Sequence, residues 1–207
     1  TNSFKEARFL RAYFYFNLVR AYGDVPYFTE MVTTDQVNSL TRTPAQEIFN
    51  AIIAECDKLS TELPADYTKL GLDGIAPAEN GRVTCYAALA LKARAALYAA
   101  SPLFNPGNNK DLWRRAAEAN KEVIETCTAN GFKLSKYSEL WGPNNWSNNE
   151  MIFVRRYNGN ISTLEEYNFP MGVPGGNSGN CPTQNMVDAY EMKATGKMWN
   201  ETGSGYD

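Results

Sequence analysis

The stretch from residue 4 to residue 22, FKEARFLRAYFYFNLVRAY, carries apolar side chains on most sides of a helix. Two neighbouring stripes at helical spacing consist of Ala7, Leu10, Phe14, Leu18 and Ala21, and of Phe9, Tyr13, Phe16 and Val19. A helix that is apolar on most sides must be buried on most sides, so we expect it to pack between other helices. Gly23 and Pro26 predict where it ends.

Three further helices are predicted downstream. Thr43 and Pro44 open the second, which runs to about residue 63. Its apolar face consists of Ala45, Ile48, Ile52, Cys56, Leu59 and Leu63. The third spans about 83–100 and contains eight alanines, which favour a helix and allow close approach of neighbouring backbones. The fourth is expected to run from Asp111 as its N-cap to Asn130.

These helices form two helix–loop–helix pairs with small residues at the expected contacts. The predicted fold class is mostly α, with TPR-like α-solenoid helix pairs, long irregular loops and little strand. Residues 1–135 are expected to form the helical scaffold. Residues 136–207 are expected to be a loop-rich, ligand-facing segment of the same domain that continues beyond the end of this sequence.

Composition excludes several function classes. The chain has no histidine, which removes Ser–His–Asp and Cys–His catalysis and the commonest zinc ligand. Its net charge of −3 argues against binding nucleic acid, whose phosphates require a basic face. No metal or other cofactor is expected, and no run reaches the roughly 18 apolar residues of a membrane span.

The four cysteines include no C-x-x-C pair, so redox and zinc-ribbon chemistry are not indicated. Cys56 and Cys127 fall on apolar helix stripes, where a free thiol packs as a small hydrophobic group. We therefore expect buried free thiols, with two disulfides as the alternative.

Charged groups on the first helix need partners. Arg8, Arg11 and Arg20 lie on an otherwise apolar helix, so each guanidinium must be paired or must extend to solvent. We expect structural roles for them, with carboxylates or loop carbonyls as partners. Asp24, directly after Gly23, is expected to accept backbone N–H groups in the turn.

Beyond residue 135 the helical pattern fades. Residues 151–154 are expected to form a short buried strand, residues 158–182 a loop rich in Gly, Pro and Asn, and residues 183–194 a brief helix. Long irregular segments carried on a rigid scaffold are where binding sites usually lie.

Four blocks of the sequence resemble the SusD/RagB family, and they occur in that family's order. They are EARFLRAYFYFNLVRAYGDVPYFTE (6–30), GRVTCYAALALKARAALYAASPLFN (81–105), NNEMIF (148–153) and PTQNMVDAYEMKATGK (182–197). Members are surface lipoproteins of Bacteroidetes that capture nutrients for a TonB-dependent transporter. The resemblance implies glycan binding, delivery to a SusC-like transporter, and attachment to the outer membrane through a lipid anchor outside this sequence. The sequence is therefore expected to be a piece of a longer protein.

Candidate ligand-binding residues follow from the chemistry of sugar recognition. Pyranose rings present C–H faces to aromatic rings, and their hydroxyls pair with amides and carboxylates. Residues of these types lie in the loop-rich segment at Asn145, Trp146, Tyr157, Asn158, Tyr167 and Trp199. The alternative at each position is ordinary packing or a role in a turn.

Two functions remain open. The first is a non-catalytic glycan-binding protein of the cell surface, and the alternative is a protein- or peptide-binding TPR-like scaffold without a sugar site. An enzyme is not expected, because Glu165 and Glu166 are adjacent and would point in opposite directions in an extended segment. A glycosidase needs two carboxyl groups that face one bond. Two exposed aromatic rings within reach of one sugar would favour glycan binding, and a continuous concave groove would favour the scaffold.

Overall fold

The computed structural model of the chain describes residues 2–67, 81–141, 148–154 and 167–206. The chain divides into two compact units, Thr1–Arg156 and Tyr157–Asp207. The first unit contains the long helices and the hydrophobic core. The described part of the second unit is mostly irregular and includes the short helix Gln184–Asp188.

The regular elements that lie fully within the described residues are helices α1 (Asn2–Tyr22), α2 (Thr34–Val37), α3 (Ala45–Glu62), α4 (Cys85–Ala100), α5 (Lys110–Ala129) and α6 (Gln184–Asp188), with a 3₁₀ turn at Tyr137–Trp141. Within the described ranges the β structure is limited to one isolated antiparallel bridge, between Val25 and Thr43. Helix α3 packs against α1 and α4, and α4 also packs against α5. The expectation of a mostly α fold of TPR-like helix pairs with little strand is confirmed. The predicted boundary at residue 135 stays a prediction.

Helix α1 is buried on one face only. The buried side chains are Phe9, Ala12, Tyr15, Phe16 and Val19. The first predicted stripe is exposed along its whole length: Ala7, Leu10, Phe14, Leu18 and Ala21. The prediction that this helix is buried on most sides is therefore wrong for the part of the chain that the structure describes. The reason is that α3 and α4 both pack on the same face of α1, and no described element covers the other.

The junction of α1 and α3 is built by Asp24. Gly23 ends α1 with a positive φ of 70°, and its N–H donates to the carbonyl of Val19 (2.9 Å). Asp24 Oδ1 then accepts the N–H of Ala45 (2.7 Å), the first residue of α3. The predicted cap at Thr43 is therefore wrong, and so is the expectation that Asp24 bonds within its own turn. Thr43 is instead held in the bridge to Val25. The N–H of Ala45, at the start of α3, is therefore satisfied by the carboxylate of Asp24, which precedes it by 21 residues.

Helix α4 is the centre of the core. Ala88, Ala95 and Ala100 have no exposed surface, which lets the backbones of neighbouring helices come close. Thr84 caps the helix by accepting the N–H of Ala87 (3.4 Å). Around α4 pack the fully buried side chains of α3, namely Ile48, Phe49, Cys56 and Leu59. The apolar face predicted for the second helix is thereby confirmed.

Two of the three α1 arginines have the partners expected for them. Arg8 binds the carboxylates of Glu55 and Glu62, and Arg11 donates to the carbonyl of Thr29 (2.9 Å). Arg20 differs, because its guanidinium lies over the Phe16 ring at 5.9 Å. The expected carboxylate or carbonyl partner is absent for Arg20 among the described residues.

Residues 151–154 do not form the predicted strand. They form a bend, and Phe153 is 39% exposed. The Phe153 ring meets Phe9 edge-on (5.4 Å between centroids), so this apolar run packs on α1 through its side chains. No described strand lies beside it to complete a ladder, which is why its β-propensity has no effect. The brief helix predicted at 183–194 does form, but it is shorter, spanning Gln184–Asp188.

Candidate functional site

The second unit contains a pocket of about 440 Å³ that we call the Trp199 pocket. It is lined by Gln184, Val187, Asp188, Tyr190, Met192, Trp199 and Tyr206. Its volume falls in the range of about 300–1,000 Å³ that is typical of small-molecule sites. The lining combines three aromatic rings with an amide and a carboxylate.

Helix α6 places the polar side of the pocket. Thr183 caps this short helix by accepting the N–H of Met186 (3.4 Å). Gln184 and Asp188 are four residues apart and therefore lie on the same face. The Gln184 amide donates to Asp188 Oδ1 (2.7 Å), which holds both polar groups at the pocket wall.

Ser204 positions the two aromatic rings that follow. It is 5% exposed, donates its hydroxyl to the carbonyl of Trp199 (3.0 Å), and accepts the N–H of Tyr206 (3.3 Å). Gly203 and Gly205 both have a φ of 77°, a conformation that favours glycine, and they allow the tight reversal on either side of Ser204. The Trp199 and Tyr206 rings consequently meet edge-to-face, with centroids 5.9 Å apart.

The aromatic rings of this pocket face solvent. Trp199 is 41% exposed, Tyr190 66% and Tyr206 62%. An exposed ring with a polar neighbour can stack on the C–H face of a sugar, while the amide and carboxylate pair with its hydroxyls. The arrangement therefore offers aromatic surfaces and polar partners of the kind that recognition of a pyranose ring uses.

Of the six ligand-binding residues predicted from the sequence, the structure places one in this pocket. Trp199 lines it, whereas Tyr167 is not among the lining residues. The Tyr167 ring lies against Gly179, at which an added Cβ would overlap the ring. The other four, Asn145, Trp146, Tyr157 and Asn158, lie outside the described residues. Their roles stay predictions.

Sequence reasoning missed six of the seven residues that line the Trp199 pocket, including its aromatic and polar members Gln184, Asp188, Tyr190 and Tyr206. One signal was available, because a helix over residues 183–194 puts Gln184 and Asp188 on one face. Tyr206 carried no such signal. Its approach to Trp199 depends on the two glycine turns around Ser204, which no periodicity reveals.

The described ranges contain no cluster of three or more His, Cys, Asp or Glu side chains arranged to hold a metal ion. Asp188 is the single carboxylate among the residues lining the Trp199 pocket. None of the described helices has the length and apolar character needed to cross a bilayer.

Known proteins resemble this chain in sequence. A family model described as SusD-like, "Starch-binding associating with outer membrane", matches residues 3–97. Two SusD-like proteins of Formosa agariphila are 24% and 28% identical to the chain, over 72% and 76% of its length. The chain spans 24% and 28% of the length of these two relatives.

Solved structures resemble it in fold. A SusD-like protein from Bacteroides fragilis has 27% identity and a TM-score of 0.66, over 94% of this chain and 36% of that one. A SusD-like carbohydrate-binding protein from the same species has 26% identity and a TM-score of 0.74, over 97% and 36%. The surface glycan-binding protein A of Bacteroides uniformis, at 22% identity and a TM-score of 0.54 over 72% and 29%, shares the fold alone.

Proposed function

We propose that the chain is a member of the SusD/RagB family, which its resemblance to SusD-like proteins in sequence and in fold supports, and that it is a non-catalytic, cell-surface glycan-binding protein. The observation that carries the proposal is the Trp199 pocket, where Trp199, Tyr190 and Tyr206 are all exposed around one cavity. Such rings give stacking surfaces for a sugar, and Gln184 and Asp188 give partners for its hydroxyls. A relative named as carbohydrate-binding, 26% identical, is consistent with this assignment.

Binding without catalysis fits the chemistry of the pocket. Glycoside hydrolysis normally requires two carboxyl groups on opposite sides of the scissile bond, and Asp188 is the one carboxylate among the lining residues. The chain also has no histidine to serve as an alternative general base. The proposed task is capture and release.

The proposed partner is a SusC-like TonB-dependent transporter, to which the bound glycan is delivered. The matching family model describes its members as associating with the outer membrane, which supports that location. We expect a lipid anchor outside this sequence to provide the attachment. Handover to a transporter requires that the glycan dissociates quickly. Weak binding would provide this, because affinity differences between related complexes arise mainly from differences in the dissociation rate.

Calorimetric titration with a panel of soluble neutral polysaccharides tests the proposal. We expect one glycan to bind, and Trp199→Ala to abolish that binding because the stacking surface is removed. Trp113→Ala is the matched control, since Trp113 is similarly exposed (36%) but lies on α5, in the other unit. Binding that survives Trp199→Ala, or no binding across the panel by folded protein, contradicts the proposal and favours the protein- or peptide-binding scaffold.

A further inference from the structure

The first unit contains a separate cavity of about 520 Å³, which we call the α1–α4 cleft. It lies between these two helices and is closed on one side by residues 150–153. Its apolar wall is aromatic. Phe9 and Tyr13 are stacked (6.3 Å between centroids, 13° between planes), and Phe153 meets both rings edge-on at 5.4 and 6.3 Å. These rings offer an aromatic surface on which the C–H face of a sugar could stack, and they belong to different elements from the Trp199 pocket.

Two arginines line the same cleft, Arg20 from α1 and Arg94 from α4. Both are exposed, and neither forms a hydrogen bond or an ion pair with any residue that the structure describes. This distinguishes them from Arg8, which is fully engaged by carboxylates in the packing of α1 on α3. The Arg20 guanidinium lies over the Phe16 ring, 5.9 Å from its centroid, and this contact leaves its N–H donors without a protein acceptor among the described residues.

The other polar groups that line the cleft leave it with a net positive charge. Glu150 also lines it, but its Oε2 accepts the N–H of Ser135 (2.8 Å), so this carboxylate serves the local fold. The Asn17 amide donates to the carbonyl of Tyr13 (2.9 Å) and presents its oxygen as an acceptor. Two guanidinium groups against one carboxylate leave a net charge of +1 beside an aromatic wall.

We propose that the α1–α4 cleft binds an acidic oligosaccharide, with the carboxylate of a uronic-acid residue at Arg20 and Arg94 and a sugar face against Tyr13 and Phe153. The inference rests on the proposed glycan-binding function and specifies a ligand class for a second site. A guanidinium pairs with a planar carboxylate through two parallel hydrogen bonds, which makes arginine well suited to this group. A neutral sugar would leave both cations without a partner.

The test is calorimetric titration of the protein with trigalacturonate and with its fully methyl-esterified form, which retains the rings but removes the charge. We expect the acid to bind and the ester to bind at least about tenfold more weakly, because charge-assisted hydrogen bonds contribute roughly 1.5–3 kcal/mol. Arg94→Gln should weaken binding of the acid by a similar factor. Arg114→Gln, which removes an exposed charge from α5, should change the affinity less than about twofold.

Three outcomes overturn the inference. Equal binding of the acid and the ester would show that charge plays no part. Equal losses for Arg94→Gln and Arg114→Gln would show that the overall charge of the protein is responsible. Tighter, Arg94-dependent binding of a tripeptide with a free C-terminal carboxylate would assign the cleft to peptides.

The proposed function can be judged separately in the same titrations. A neutral glycan that binds through Trp199 while trigalacturonate does not bind overturns the α1–α4 cleft assignment alone. Folded protein that binds neither neutral nor acidic glycans overturns both proposals.

Discussion

Arg8 on α1 donates two hydrogen bonds to the carboxylate of Glu55 on α3, Nε to Oε1 at 2.6 Å and Nη2 to Oε2 at 3.2 Å. The remaining guanidinium nitrogen, Nη1, donates to Glu62 Oε2 (2.7 Å), about two turns further along α3. The side chains of Arg8 and Glu55 are only 18% and 19% exposed. This ion pair therefore joins two helices at the edge of the core, where water screens it less than it would at the surface.

Breaking that pair should destabilise the first unit. For Glu55→Gln we expect a loss of roughly 1.5–3 kcal/mol in the free energy of unfolding, because a charged hydrogen-bond partner is removed from a half-buried guanidinium. Equilibrium unfolding in urea measures this change in the free energy of unfolding. Glu125→Gln is the control, since Glu125 pairs with Lys121 at 3.6 Å on the exposed face of α5 and should change stability by less than about 0.5 kcal/mol. Equal losses of unfolding free energy in Glu55→Gln and Glu125→Gln would contradict a stabilising role for the Arg8–Glu55 pair.

The same pair predicts a pH dependence. Hydrogen bonding from Arg8 holds the pKa of Glu55 below its usual value, and partial burial opposes this shift without cancelling it. A carboxylate whose pKa is lowered by folding stabilises the protein fully above its unfolded pKa of about 4.3, and the contribution is lost as the pH falls through the folded pKa. The stability difference between the wild type and Glu55→Gln should therefore be largest near neutral pH and shrink below about pH 4. A difference that grows on acidification would contradict this.

The four cysteines, all of them free, should differ sharply in reactivity. Burial raises the pKa of the Cys56 thiol to about 12, so it carries almost no thiolate near neutral pH and is shielded from reagents. Cys181 is exposed. In native protein, iodoacetamide should label Cys181 first and Cys56 only after unfolding, as read by mass spectrometry of the peptides. Cys181→Ser is the control and should remove the fast labelling phase; fast labelling of Cys56 would contradict its burial.

Gly179 should be intolerant of a side chain because of Tyr167. An added Cβ would overlap the Tyr167 ring, while the N–H of Gly179 donates to the carbonyl of that same residue (2.7 Å). We expect Gly179→Ala to displace the ring and to increase hydrogen exchange across residues 167–180. Gly172→Ala is matched to it, because nothing lies within 4 Å of a Cβ built there. Similar exchange in both variants would contradict a packing role for Tyr167.

Much of the helical scaffold could be predicted from local signals. The four long helices begin and end within about two residues of their predicted bounds, since apolar periodicity, alanine content and stop signals such as Gly23 and Pro26 act over a few residues. The apolar face of α3 was predicted for the same reason. Residues 151–154 were mispredicted, because a strand requires a neighbouring strand and an apolar run does not supply one.

The candidate sites were predicted less well, because they depend on contacts between distant residues. Trp199 was singled out by its residue type, but its pairing with Tyr206 depends on Ser204 and two glycine turns. The α1–α4 cleft was not predicted at all. Arg20 was expected to have a polar partner, and its place in the same cleft as Arg94 follows from how the two helices align.

The sequence by itself determined the helical class, the extents of the long helices and the resemblance to the SusD/RagB family, because these depend on short-range periodicity and on the order of four sequence blocks along the chain. Tertiary structure alone decided which stripe of α1 is buried, that Asp24 caps α3, and which polar groups meet in each cavity. The physical reason is that a helix with two apolar stripes can bury either of them at nearly equal gain, so the choice belongs to the partner helices.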